Sequence, residues 1–127
     1  MGIIYSDQVE VYEYDQGVWV KKLAVPETGT QSISVGVTTF DPGVALPCHI
    51  HGCEESITII EGEAFVEFGG KRIRLKPYDT SHMLAGVPHR FINASADMGR
   101  TIVEPVECSG RSSLLNPLDQ NQFKTTL

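Results

Sequence analysis

Residues 43–63 read Gly-Val-Ala-Leu-Pro-Cys-His-Ile-His-Gly-Cys-Glu-Glu-Ser-Ile-Thr-Ile-Ile-Glu-Gly-Glu. His49 and His51 are separated by one residue. On a strand that spacing sets both imidazoles on one face, with Cα atoms about 6.6 Å apart. Two rings at that separation can converge on one ion lying about 2.1 Å from each nitrogen. Gly52-Cys53-Glu54 can then turn the chain, so that Glu55 opens the next strand facing the same ion. The apolar run 56–61 continues that strand until Gly62-Glu63 interrupts it.

Outward from this stretch the chain breaks into short runs rich in Val, Ile, Thr, Phe and Tyr, punctuated by Gly, Pro, Asn and Asp. On the N-terminal side, 9–14 and 18–22 flank Asp15-Gln16-Gly17, a hairpin turn, and 32–40 ends at Asp41-Pro42-Gly43. On the C-terminal side come 64–68, the two-residue hairpin signal Gly69-Gly70, then 71–76, 80–84, 89–93 and 100–105. Within 71–76, Ile73 and Leu75 alternate with Arg72, Arg74 and Lys76, the period of a strand with one wet face. This series predicts an all-β fold, a barrel or jelly roll rather than an α/β architecture. The one helix signal is Asn116 capping a segment that begins at Pro117, with Leu118 and Phe123 as its apolar residues. Residues 108–127 are therefore expected to be an appendage on a single domain spanning 1–127, whose barrel core occupies about 32–106.

Composition narrows the function. With 41 % hydrophobic and 20 % charged residues in 127, the chain reads as one folded globular unit. Ten basic against sixteen acidic residues give a net charge of −6, which argues against nucleic-acid or anionic-membrane partners. No apolar segment approaches the roughly 20 residues that span a bilayer. The N-terminus has neither the basic start nor the apolar run of a secretory peptide. Cys48, Cys53 and Cys108 are odd in number and show no disulfide-framework spacing, so a reducing cytoplasm is the expected setting.

His89 follows Gly86-Val87-Pro88, a tight turn that would deliver a third imidazole to the ion. Three imidazoles and a carboxylate, from His49, His51, His89 and Glu55, suit Mn, Fe, Co, Ni or Zn rather than Ca or a thiolate-seeking metal. Octahedral coordination would leave two positions for water or a chelating substrate.

Gly43, five residues, His49-Ile50-His51, three residues, Glu55, six residues and Gly62 reproduce the first motif of the cupins. Gly86, His89 and Asn93 fall at matching places of the second motif, while Tyr78 and Leu84 stand where it has a glycine and a proline. The chain thus resembles a small single-domain cupin over residues 43–93. The resemblance implies a double-stranded β-helix, or jelly-roll, barrel holding one divalent transition metal (Fe, Mn, Ni or Zn) through His49, His51, Glu55 and His89. It further implies a homodimer and a metal-dependent enzyme acting on a small oxygen-rich molecule, of dioxygenase, decarboxylase, isomerase or lyase type. A non-catalytic cupin that binds or senses a small molecule is the alternative, and no catalytic side chain is assigned.

Other residues carry open readings. Cys53 shares the parity of the ligands and is either an accessory ligand or a plain turn residue, and a Cys48–Cys53 disulfide is disfavoured in a reducing compartment. Cys48 and Arg90 should alternate away from the ion. His82 is either a pocket acid–base or an ordinary strand residue. Phe65 and Phe91 line the cavity or belong to the core. Tyr78 is expected at positive φ if its turn is kept tight.

Overall fold

The structure is a computed structural model that describes residues 2–93 and 101–108; in the second segment only the backbone and the Ile102 side chain are described. Nine strands follow in order: β1 (Tyr12–Asp15), β2 (Val18–Lys22), β3 (Ile33–Phe40), β4 (Glu55–Glu61), β5 (Ala64–Phe68), β6 (Lys71–Leu75), β7 (Thr80–Met83), β8 (His89–Asn93) and β9 (Thr101–Cys108). They form a six-stranded sheet, β1-β2-β3-β9-β4-β7, and a three-stranded sheet, β6-β5-β8, with every named pairing antiparallel. The result is an all-β jelly-roll barrel, as the strand series predicts. The expected C-terminal appendage and the Asn116–Pro117 helix start lie outside the described residues.

Period-two alternation places the core. Along β4, Glu55, Ile57 and Ile59 are buried while Ser56 and Thr58 are half-buried; along β8, His89, Phe91 and Asn93 are buried. Val18, Phe40, Ile57, Ile59, Ala64, Val66, Met83 and Phe91 fill the space between the sheets. The β5–β6 hairpin turns on Gly69 and Gly70 at φ 56 and 74°, a two-residue geometry that L side chains adopt only at a cost. β1 starts at Tyr12 rather than at residue 9, because its ladder with β2 begins at the Tyr12–Val20 pair. Buried Asn93 ties β8 to the end of β3 just before the first motif: its side-chain amide donates to the carbonyls of Phe40 and Asp41 at 2.9 and 3.0 Å.

Between β6 and β7, Tyr78 adopts φ 72° and is 80 % exposed. The turn stays tight because Asp79 accepts a hydrogen bond from the Lys76 amide at 2.8 Å and the Tyr78 amide donates to the Ile59 carbonyl at 2.7 Å. A tyrosine there carries left-handed strain with no burial to offset it. Tyr78→Gly is therefore expected to stabilise the protein by about 0.5–1 kcal/mol, the relief of strain exceeding glycine's entropic cost. An unchanged or lower melting temperature would contradict this.

Two features go beyond the sequence reading. Cys53, read as a turn residue or accessory ligand, is disulfide-bonded, whereas Cys48 is free, so the Cys48–Cys53 pair is not the one formed. A disulfide needs Cα atoms within about 4.4–6.8 Å, a proximity that spacing along the chain does not disclose. The second is Glu67, on the outer face of β5 yet 0 % exposed. Its direct cross-strand neighbours are Arg72 on β6 and Arg90 on β8. Arg72 Nε donates to Oε1 at 2.9 Å and Arg90 Nε to Oε2 at 3.1 Å, so two cations roof one carboxylate.

Candidate metal centre

The metal-ligating candidates come from both sheets. His49 does not lie on a regular strand; it forms an isolated antiparallel bridge with His89 at the start of β8, through amide–carbonyl hydrogen bonds of 3.0 and 2.9 Å in both directions. A hydrogen-bonded antiparallel pair holds its Cα atoms about 5.5 Å apart with side chains on the same side. His51 follows at the same parity, its carbonyl accepting from the Gly86 amide at 3.0 Å. The turn before His89 is therefore clipped to the His49–His51 segment at two points. Glu55, the first residue of β4, faces the three rings from the larger sheet.

The rings of His49, His51 and His89 lie with centroids 4.8, 4.7 and 5.3 Å apart, and their ligand atoms all fall within 4.8 Å of one another. All three are buried, and so is Glu55. One Glu55 oxygen is 3.1 Å from His89 Nε2 and the other 3.2 Å from His51 Nε2. Donor atoms around an ion at about 2.1 Å would be about 3 Å apart at adjacent octahedral positions. Nδ1 of His49 lies 2.8 Å from the Pro47 carbonyl, and Nδ1 of His89 lies 2.8 Å from the Val87 carbonyl. A carbonyl only accepts, so each Nδ1 carries the hydrogen, which fixes ring orientation and reserves Nε2 for the centre of the cluster. The donor set fits a divalent transition metal, and the three buried histidines could hold one.

Electrostatics agree with that fit. Burial lowers the His49 imidazole to about 4, against the pull of its hydrogen bond to Pro47. His51 is lowered too, by burial first, although the Glu55 charge opposes it. Burial alone would raise Glu55, yet the His89 hydrogen bond and the neighbouring imidazoles hold it below the ordinary carboxylate value. Burial disfavours charge on His89 as well, but its hydrogen bonds to Glu55 and Val87 outweigh that and raise it. Two imidazoles kept neutral and a carboxylate kept ionised are what a cation requires of its ligands.

A cavity of about 570 Å³ opens between the sheets, with His49, His51 and Glu55 on its wall and Val18, Val20, Phe40, Leu46, Ile57 and Phe91 among its apolar lining. That volume and lining are those of a small-molecule site. Its exposed rim includes Tyr12, Tyr14, Lys22 and Glu27. None of these four stands out in the sequence as a site residue, because inward parity on β1 and β2 has meaning only once the barrel is closed.

The remaining candidates separate cleanly. His82 is an ordinary exposed residue on β7, 3.3 Å from Glu54 and outside the cavity wall. Phe91 lines the cavity, whereas Phe65 does not and lies 5.2 Å beneath the Arg72 guanidinium. Arg90 points away from the ligands to Glu67. Cys48 is buried with its thiol pushed up by burial, beside the charges of Arg90 and Glu67.

Known proteins place this arrangement. A jelly roll of similar form occurs in the polyketide cyclase RemF from Streptomyces resistomycificus (TM-score 0.80, 18 % identity, covering 100 % of this chain and 98 % of that one). KdgF from Halomonas sp. is similar at TM-score 0.75 and 20 % identity, over 87 % of this chain and 96 % of that one. So is a sugar phosphate isomerase of the cupin superfamily from Silicibacter pomeroyi, at TM-score 0.70 and 19 % identity over 82 % and 73 %. Such identities speak for the fold alone. No curated relative matches the sequence significantly. The Cupin_2 family model, a cupin domain, matches residues 36–103, which carry the later part of β3, all of β4 to β8 and all three histidines of the cluster. The chain belongs to the cupin family.

Proposed function

We propose that this cupin is a metal-dependent enzyme acting on a small oxygen-bearing molecule, with His49, His51, Glu55 and His89 holding one divalent transition metal ion (Fe, Mn, Ni or Zn). The observation that carries the reading is the convergence of three buried imidazoles and one ionised carboxylate at the wall of a mainly apolar cavity. Burying that set around one point without a cation would be costly, and the cavity supplies an open side for a ligand. When bound, the metal would supply Lewis-acid polarisation of a substrate carbonyl or carboxylate. The protein's own share is orientation and exclusion. Pro47 and Val87 fix the His49 and His89 rings, Glu55 contributes the negative charge, and the valine-rich wall keeps the local dielectric low. Similar folds in a polyketide cyclase and a sugar phosphate isomerase support small-molecule chemistry without choosing a reaction.

The test is elemental analysis of protein purified without tag or chelator, followed by turnover assays with chelating hydroxy- and keto-acids, with and without dioxygen. About one transition metal per chain together with turnover is the expected result. Metal with tight binding but no turnover would favour the sensing or binding alternative. No metal, even after reconstitution, would overturn the reading.

A further inference from the structure

Resting on that metal centre, we infer the class of molecule the cavity takes: an elongated, mainly apolar monoacid, chelating with oxygens at the histidine end and seating its anionic group on Lys22 at the exposed end. Val18, Val20 and Lys22 share the inward face of β2 and all line the cavity. The two lysines that end this strand are used differently. Lys21 points outward, its ammonium donating to the Ser6 carbonyl and hydroxyl at 2.9 and 3.0 Å. Lys22 has its ammonium 5.8 Å from the Tyr12 ring, and among the described residues no carboxylate pairs with it. It is the one cation among the cavity's described lining residues other than the histidines.

The placement sets the length of the ligand. β2 is three strands from β4, which carries Glu55, in the order β2-β3-β9-β4. At about 4.8 Å per strand the two anchors are about 14 Å apart across the strands, and the registers Glu55–Glu107–Ser34 and Lys22–Gly36 offset them by two residues, about 7 Å, along the strands, before either side chain reaches inward. The cross-strand partner of Lys22 is Gly36, also on the cavity wall, where a Cβ would meet the Lys21 carbonyl oxygen at 2.7 Å, so the strands approach too closely there for a side chain. The substance between the anchors is apolar, with the hydroxyls of Ser34 and Thr38 as the polar groups on β3. A polyhydroxylated sugar would bury its hydroxyls against valines without partners. Glu27 on the same rim disfavours a dianion such as a phosphate monoester, which leaves a carboxylate or a similar single charge. Tyr12 and Tyr14 on β1 offer aromatic faces beside that end.

Co(II)-loaded protein titrated with caffeate and with its methyl ester tests this, because the two share a catechol chelate and differ in the distal charge. Caffeate is expected to bind about tenfold more tightly than the ester, the scale of one charge-assisted hydrogen bond. Lys22→Met should erase that difference, Lys22→Arg should keep it, and gluconate, a polar chelating acid, should bind at least about tenfold more weakly than caffeate. Equal affinity for caffeate and ester, a preference that survives Lys22→Met, or gluconate binding as tightly as caffeate would overturn the proposal while leaving the metal centre intact. Failure of the protein to take up Co(II), read separately from its visible spectrum, would instead remove the metal reading on which it rests.

Discussion

His49→Ala protein is expected to retain less than about a tenth of the metal carried by the wild type after the same purification, and its melting temperature should no longer respond to added metal. The second effect is the larger and cleaner one. A ligand that binds only the folded state at about a thousand times its Kd stabilises by about 4 kcal/mol, which for a domain of this size corresponds to about 15 °C. His49 is suited to the test because its ring is fixed on both sides: by the backbone bridge to His89 and by the Nδ1 bond to Pro47 at 2.8 Å. Its removal takes away a donor that no neighbouring side chain is placed to replace. In metal-free protein the same substitution should cost only about 1 kcal/mol, the hydrogen bond to Pro47, since the imidazole is already neutral there. The contrast between metal-loaded and metal-free melting therefore separates a ligand from a packing residue. His82→Ala, on the exposed face of β7, should behave as wild type in both conditions. Undiminished metal content in His49→Ala would remove His49 from the ligand set.

How much of this was legible beforehand depends on how local the cause is. β2, β5 and β8 run over the residues expected from the sequence, because Gly17, Gly62 with Glu63, Gly69-Gly70 and Pro88 punctuate them at the chain level. The positive φ of Tyr78 was legible for the same reason: a turn that stays tight needs it. The proximity of His49, His51 and His89 could be anticipated from motif spacing, although the backbone bridge that enforces it joins residues forty apart. Sheet order was not legible. β9 inserts between β3 and β4, and nothing in the run from Thr101 announces which edges it will join. The roles of Lys22, Glu67 and Cys53 depend on such long-range pairing. Lys22, on a strand whose inward face is undefined until the barrel closes, lines the cavity, and Glu67 is wholly buried once β6 and β8 flank it.

That burial makes Glu67 the site of the second large effect, in the double variant Arg72→Met/Arg90→Met. The wild-type carboxyl is raised by burial but held below its ordinary value of 4.5 by the hydrogen bonds and charges of the two arginines. A depressed carboxyl contributes stability above the unfolded-state value and loses it as pH falls through the folded-state value, so the wild type should weaken progressively below about pH 4.5. Neither arginine is essential alone. Arg72 is 53 % exposed and Arg90 33 %, so water screens each pair, and either cation can still neutralise Glu67 when the other is lost. Removing both strands a carboxylate that is 0 % exposed, and the expected cost near neutral pH is about 3 kcal/mol, or about 10 °C in melting temperature. The sign of the pH response then reverses. Without its cations Glu67 is governed by burial, its pKa rises above the unfolded value, and the double variant should regain stability as pH falls through that raised value, until other groups dominate. Adding Glu67→Leu should restore most of the loss at neutral pH, because a hydrophobic side chain needs no cation there. A double variant that melts within about 3 °C of wild type at neutral pH, or that shows the wild-type acid response, would mean that the cations do not sustain Glu67. The triad would then be surface decoration on β5 rather than the clasp between β6 and β8.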